Sequence, residues 1–171
     1  KNEDWKNWAI VDNEKGEINF GYRGEKDTEI YGIFNCLGYK PWQDHIIRVC
    51  TMLAKAGVDE IRLDEIGFPF KPCFNKAHHH DSPYDSHQWT REFLHRIRES
   101  VDQINPDLVI STEFFMDYFH AYTNGALVMD CSGAELDAMK VAMPEYMAMS
   151  YHAGAAEAII SGAIMSKTTS Y

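Results

Sequence analysis

Two acidic residues follow apolar segments of the sequence at positions where carboxylates do chemistry. Asp64 ends the segment 61–64, and Glu113 directly follows the apolar segment 108–112. Because alternate residues of a strand share a face, Arg62 lies on the same side as Asp64 and favours its ionised form. An ionised and positioned Asp is a nucleophile, and a neighbouring Glu can donate and accept a proton.

This carboxylate pair suits the cleavage of a glycosidic bond. Neighbouring strands lie about 4.8 Å apart, so acids at the ends of adjacent parallel strands approach the separation of about 5–5.5 Å that retaining glycosidases use. We therefore expect Asp64 to attack the anomeric carbon and Glu113 to act as general acid and base. The alternative, in which both acids only cap loops or pair with arginine, stays open.

A second candidate cluster lies in the loop predicted at 65–87. It contains Cys73 and three consecutive histidines, His78, His79 and His80. Cysteine and histidine are ligands of zinc and other transition metals. The cluster has no helical metal-binding spacing, however, and adjacent histidines of an extended loop cannot all face one ion. We expect no metal and no cofactor, and we predict that His79 and His80 contact substrate hydroxyls.

Aromatic residues follow Glu113 directly. Phe114 and Tyr118 are predicted to contact a sugar ring, together with Arg62. The helical spacing of the other aromatic residues in 114–122 indicates that most of them belong to the core.

The predicted elements that position these residues alternate between strands and helices. Strands are predicted at 30–36, 58–64, 108–112, 127–129 and 139–143, with a short hairpin near 17–20. Helices are predicted at 42–56, 86–104, 114–122 and 155–165, with Gly57 ending the first of them and Ser86 capping the second. This alternation predicts a parallel sheet with right-handed crossovers.

The fold class that follows is α/β, as part of a (β/α)8 TIM barrel. A complete barrel takes about 250 residues, so we expect residues 1–171 to be a fragment of a single catalytic domain, roughly its third to sixth strand–helix units. The remainder of the barrel is then expected on the same or another chain. We expect the inner face to carry Ile61, Leu63, Val109 and Ser111.

The amino-acid composition argues against some classes of binding partner. The net charge of -10 argues against nucleic-acid binding. No apolar run reaches membrane length, so no membrane partner is expected. The four cysteines form no CxxC motif, which argues against a zinc ribbon or a redox motif but permits disulfides. The compartment is left open, with a location outside the cytoplasm favoured.

Segment 57–64 resembles the fourth-strand motif of α-amylase-type barrels. In that family the Arg and Asp of an R-x-D pair support and supply the nucleophile, and the next strand ends in the acid/base Glu. Arg62, Asp64 and Glu113 match these positions, and the resemblance covers about residues 30–115. It implies a retaining glycoside hydrolase with a carbohydrate substrate.

The chain is also similar to a less characterised group of bacterial glycosidase-like barrels. Their fourth-strand loop carries a cluster of cysteine and histidine like Cys73 and residues 78–80. Two alternatives remain open: a metal-dependent hydrolase that uses this loop, and a barrel that binds carbohydrate without turnover.

Overall fold

The computed structural model describes residues 5–18, 20–23, 30–66, 71–128, 140–150 and 164–165, which form a mixed α/β fold with two sheets. Strands β1 (Phe20–Arg23) and β2 (Ile30–Ile33) form an antiparallel pair. The larger sheet contains five parallel strands in sequence order: β3 (Glu60–Leu63), β4 (Val109–Thr112), β5 (Gly125–Val128), β6 (Met147–Ser150) and β7 (Ile164–Met165). Sequential order is expected of parallel strands whose crossovers all turn the same way.

The helices are α1 (Trp5–Trp8), α2 (Lys40–Lys55) and α3 (Ser86–Asp102). Short 3₁₀ turns occur at Lys76–His78 and Asp117–Phe119. The end of α2 is as predicted. Gly57 has a φ of 83°, and the amides of Gly57 and Val58 bond the carbonyls of Ala54 and Leu53, which satisfies the last turn. None of the described helices combines the length and the apolarity needed to cross a lipid bilayer.

The main core lies between α2, α3 and one face of β3 and β4. Ile61 and Leu63 belong to this core and therefore face the helices. The expectation that they line an inner barrel face is wrong. Arg62 lies on the opposite face because side chains alternate along a strand. On that face, Ser111 donates a hydrogen bond to Glu60 at 2.6 Å.

Three predicted elements near the amino-terminal half need correction. The strand predicted at 30–36 exists as β2, but it pairs antiparallel with β1 and not with the parallel sheet. The predicted hairpin near 17–20 is displaced, because Ile18 bridges Val11 while Phe20 begins β1. The helix cap is Asp85, and Ser86 is instead the buried first residue of α3.

Three predictions in the second half also differ from the structure. The strand predicted at 139–143 is wrong, since residues 140–142 are helical and the strand is β6. The helix predicted at 114–122 is reduced to a 3₁₀ turn at Asp117–Phe119, because the backbone of Met116 is extended, with φ −141° and ψ 124°. Of the helix predicted at 155–165, Ile164–Met165 is strand β7, and residues 155–163 lie outside the described residues.

Candidate active site

The register of β3 and β4 places Asp64 and Glu113 on neighbouring strand ends. The last paired residues of the two strands are Leu63 and Thr112. Asp64 directly follows Leu63, and Glu113 directly follows Thr112. Both acids therefore lie at the carboxyl edge of the sheet, where the chain passes from strand to loop. Ligands of open α/β sheets and of barrels bind at this edge.

Asp64 is contacted by an arginine of its own strand. Arg62 Nη2 donates a hydrogen bond to Asp64 Oδ1 at 3.2 Å. The Asp64 side chain is 72% exposed, whereas that of Arg62 is 29% exposed. The guanidinium is therefore the more firmly held partner, and the carboxylate of Asp64 is open to a ligand.

Glu113 is tied to the loop that follows Asp64. The backbone amide of Glu65 donates a hydrogen bond to Glu113 Oε2 at 2.8 Å. The amide of Phe114 donates to the carbonyl of Ile66 at 3.3 Å, and this bond also joins the loops after β3 and β4. The half-buried carboxylate of Glu113 thus lies one hydrogen bond away from the residue next to Asp64.

Glu65 is a site residue that the sequence analysis missed. Its φ is 60°, in the left-handed region that non-glycine residues rarely adopt. A conformation of this kind costs about 1–3 kcal/mol and concentrates at ligand-binding turns. Its residue type gave no indication of this conformation, since glutamate does not favour a positive φ. Its position directly after the predicted strand end was the one feature of the sequence that pointed to the site.

Burial raises the pKa of the Glu65 carboxyl above its ordinary value, and the negative charge of Glu113 raises it further. Lys71 opposes this shift with its positive charge. The folded protein therefore holds the Glu65 proton at pH values where the unfolded chain has lost it. The free energy of unfolding consequently falls as the pH rises above the ordinary pKa of 4.5, until Glu65 is ionised in the folded state as well.

Replacing Glu65 with Gln is expected to remove this loss of stability, because the amide cannot ionise. The melting temperature of Glu65→Gln should exceed that of the wild type by up to about 3 °C near neutral pH, and the difference should shrink below the ordinary pKa of glutamate. Thermal unfolding followed by circular dichroism across this pH range measures the difference. The exposed Glu14→Gln is the control, and a Glu65→Gln difference that does not change with pH would contradict the prediction.

A cavity of about 340 Å³ opens beside Asp64, between the strand ends and helices α2 and α3. Its volume is within the range of small-molecule sites. Its polar and charged lining includes Asn35, Arg62, Asp64, Glu65 and Lys71. Aromatic lining residues are Phe34, Trp42, Trp89 and Phe93. Glu113 is not among the residues that line this cavity.

A second group of reactive side chains adjoins the cavity, whose lining includes Cys36, and we call it the Cys/His cluster. It consists of Cys36, Cys73, His78 and His80, whose ligand atoms all lie within 4.8 Å of one another. Cys36 Sγ is 3.1 Å from His80 Nε2, and Cys73 Sγ is 3.4 Å from His78 Nδ1. Both cysteines and His78 are buried, and His80 is half-buried.

Local backbone geometry explains how two of three consecutive histidines converge. Asn75 caps the 3₁₀ turn by accepting a hydrogen bond from the amide of Ala77. His79 then adopts a left-handed φ of 55°, which reverses the chain. His78 and His80 therefore face the cluster, while His79 is exposed to solvent.

The two cluster cysteines are coupled. The hydrogen bond with Cys36 lowers the pKa of the Cys73 thiol, as do bonds from His78 and His80, although burial opposes them. The same pairing with Cys73, together with burial, raises the pKa of the Cys36 thiol. Cys50 lies apart in the core, where burial raises its pKa to about 11. The cluster therefore offers a thiolate, whereas Cys50 is held as a thiol.

The residues predicted to bind substrate are dispersed in the structure. Arg62 lines the cavity, but His80 faces the cluster and His79 points into solvent. Phe114 is half-buried, and Tyr118 is 42% exposed and packs beneath the guanidinium of Arg91. Of the five residues predicted to bind substrate, Arg62 lines the cavity and the other four do not.

Cys36 is the cluster member that the sequence analysis did not connect with the loop. It follows β2, far from Cys73 in the sequence, and no spacing motif relates the two residues. The sequence pattern predicts the apolar strand before Cys36. The contact between Cys36 and Cys73, however, depends on how the end of β2 packs against the loop after β3.

No protein-family model matches the chain, and no curated protein matches it. Among solved structures, it resembles α-L-fucosidase isoenzyme 2 from Paenibacillus thiaminolyticus, with a TM-score of 0.60 and 16% sequence identity. The match covers 86% of this chain but only 26% of the fucosidase. A match to the debranching enzyme of Nostoc punctiforme has a TM-score of 0.47 at 16% identity, covering 92% of this chain and 38% of that one. The likeness to the fucosidase shows that this chain shares the fold of one part of that enzyme.

Proposed function

We propose that this chain belongs to the barrel of a glycoside hydrolase that cleaves its substrate with retention of configuration. In this proposal Asp64 is the nucleophile, Glu113 is the general acid and base, and Arg62 orients Asp64. The observation that carries the proposal is the placement of these two carboxylates directly after paired residues of adjacent parallel strands. The fold shared with a fucosidase supports the same class of reaction.

The chemistry runs in two steps that use the same pair of residues. Asp64 attacks the anomeric carbon while the protonated Glu113 gives its proton to the leaving oxygen, which forms a glycosyl-enzyme ester. Glu113 then removes a proton from water, which attacks the anomeric carbon and releases Asp64. The neutral sugar product leaves with its original anomeric configuration.

The cavity beside Asp64 supplies features that suit a carbohydrate. Asn35 lines it, and the buried Asn35 Oδ1 has no hydrogen-bond partner among the described residues. A sugar hydroxyl would provide the missing donor. Trp42 and Trp89 add apolar ring surface, and Lys71 adds a further donor. The remainder of the barrel, on the same or another chain, would complete the substrate site.

The stereochemistry of the product tests this proposal. The purified protein, with the remainder of the barrel present, is incubated with aryl glycosides of several sugars and both anomers, and the first-formed product is followed by proton NMR before it mutarotates. We expect turnover of at least one glycoside, and a first product with the same anomeric configuration as the substrate. An inverted first product would overturn the nucleophile role of Asp64, and binding without turnover would favour the non-enzyme alternative.

A further inference from the structure

We propose that the Cys/His cluster binds one Zn²⁺ ion in a closed tetrahedral site that fastens the loop after β3 to the segment after β2. Two cysteine and two histidine side chains are a common set of four ligands for structural zinc. The cluster brings these four side chains together from two separate parts of the sequence. This inference is independent of the proposed hydrolase activity.

The distances within the cluster match the size of a zinc ion. Zinc binds sulfur at about 2.3 Å and imidazole nitrogen at about 2.0–2.1 Å, which separates the ligand atoms of a tetrahedral site by about 3.3–3.8 Å. Two of the sulfur–nitrogen distances are 3.1 and 3.4 Å, and no ligand pair exceeds 4.8 Å. Small side-chain rotations therefore suffice to place all four atoms around one ion.

The neighbours of His78 favour the tautomer in which Nδ1 is free to bind the ion. His78 Nε2 lies 2.7 Å from the carbonyl oxygen of Asn7, which can only accept, so Nε2 carries the proton and Nδ1 keeps its lone pair. Asn75 Nδ2 also lies 3.0 Å from Nε2, but the shorter carbonyl contact decides the tautomer. A zinc-bound histidine typically donates its other ring N–H to a carbonyl or carboxylate in this way. The ring is also stacked on Tyr39 with centroids 4.2 Å apart.

His80 is held in place by packing. Its ring stacks on Trp89, with centroids 3.8 Å apart and an interplanar angle of 23°. Gly38 permits this arrangement, since a Cβ there would lie 2.6 Å from both His80 Cε1 and Trp89 Cδ2. The ligand is thus oriented before metal binds, which reduces the entropy lost on binding.

The backbone around Cys73 and Cys36 is also held by hydrogen bonds. The amide of Cys73 donates to the carbonyl of Pro83 at 2.8 Å, and the amide of Tyr39 donates to the carbonyl of Cys36 at 3.1 Å. The amide of Phe74 and the carbonyl of Val11 form a further bond that joins the loop to the amino-terminal segment.

A site with four protein ligands leaves no position for water or substrate, so the metal is structural and not catalytic. The bound ion would fix the positions of residues that line the cavity. Cys36 and Trp89 both line the cavity beside Asp64, and Trp89 carries the ring on which His80 stacks. This argues against the metal-dependent hydrolase that the sequence analysis left open, and it replaces the expectation that the loop binds no metal.

The metal content of the purified full-length protein tests the proposal. Protein is isolated in reducing buffer without added chelator, and zinc is measured by inductively coupled plasma mass spectrometry. We expect about one zinc per chain. Replacement of zinc by Co²⁺ should give the visible absorption of a tetrahedral cobalt site and a thiolate-to-cobalt charge-transfer band. The proposal is overturned if the protein stays metal-free after reconstitution with zinc under reducing conditions, or if mass spectrometry finds Cys36 and Cys73 joined in a disulfide.

Matched variants separate the site from its neighbours. Cys73→Ser and His80→Asn should lower zinc content to below about 0.2 per chain after dialysis against a weak chelator. Cys50→Ser and His79→Asn should keep about one zinc per chain, because Cys50 lies in the core and His79 is exposed. Zinc loss of equal size in His79→Asn and His80→Asn would contradict the assignment.

A third variant distinguishes this proposal from the hydrolase proposal. Asp64→Asn should retain zinc whether or not the protein is a glycosidase. Chelation of the wild type should lower the melting temperature, whereas the same chelator should leave that of Cys73→Ser unchanged. A wild type whose melting temperature does not respond to metal removal would show that the ion does not fasten the loop.

Discussion

Asp64→Asn is expected to lower kcat/KM for aryl glycosides by at least about 10³-fold, equivalent to about 4 kcal/mol of transition-state stabilisation. An amide of nearly the same shape cannot attack the anomeric carbon to form the ester. The substituted side chain keeps an oxygen that can accept from Arg62, and the position is exposed, so the free energy of unfolding should change by less than about 0.5 kcal/mol.

Steady-state kinetics with aryl glycosides and chemical denaturation together check this expectation. Asp59→Asn is the matched control, since Asp59 is an exposed acid just before the other end of the same strand. Its activity should stay within about twofold of the wild type, because it lies far from the reacting edge. Activity of Asp64→Asn within about tenfold of the wild type would reject the nucleophile role.

Glu113→Gln is expected to slow hydrolysis in a manner that depends on the leaving group. For glycosides with poor leaving groups the rate should fall about 10²–10⁴-fold, since these departures need the proton that Glu113 donates. For an activated aryl glycoside the bond-breaking step should be affected far less. The glutamine oxygen can still accept from the amide of Glu65, so the loop connection is preserved.

A series of aryl glycosides with graded leaving-group pKa values measures this dependence. Added azide should restore turnover of the activated substrate in Glu113→Gln, because azide attacks the glycosyl-enzyme without help from a base. Glu99→Gln, on the exposed side of α3, is the control and should be unaffected. If Glu113→Gln slows activated and unactivated glycosides by the same factor, Glu113 is not the general acid.

The two long helices were predicted well because the residues that specify a helix lie close together in the sequence. Apolar residues recur at helical spacing in α2 and α3, and Pro41 and Gly57 mark the start and end of α2. Strands β3 and β4 were also predicted, since each is a short apolar run between turn signals. Their order in the chain was enough to place Asp64 and Glu113 at neighbouring strand ends.

Short elements were predicted less well because a tertiary contact decides them. Apolar residues lie on both sides of Pro144 and Glu145 in the methionine-rich stretch from 139 to 149, so their pattern does not locate a strand. Pairing with β5, in which Ala148 lies beside Ala126, places the strand at Met147–Ser150. The extended backbone of Met116 likewise interrupts the helix predicted at 114–122.

Spacing within a few residues was enough to predict two acids at neighbouring strand ends, the arginine beside Asp64 and the helices that support their strands. The left-handed conformation of Glu65 and the hydrogen bond from its amide to Glu113 depend on contacts between distant segments. The tertiary structure also decided which cysteine completes the Cys/His cluster. Cys36 and Cys73 meet because the end of β2 packs against the loop after β3, and contacts between segments distant in sequence leave no periodic pattern in either one.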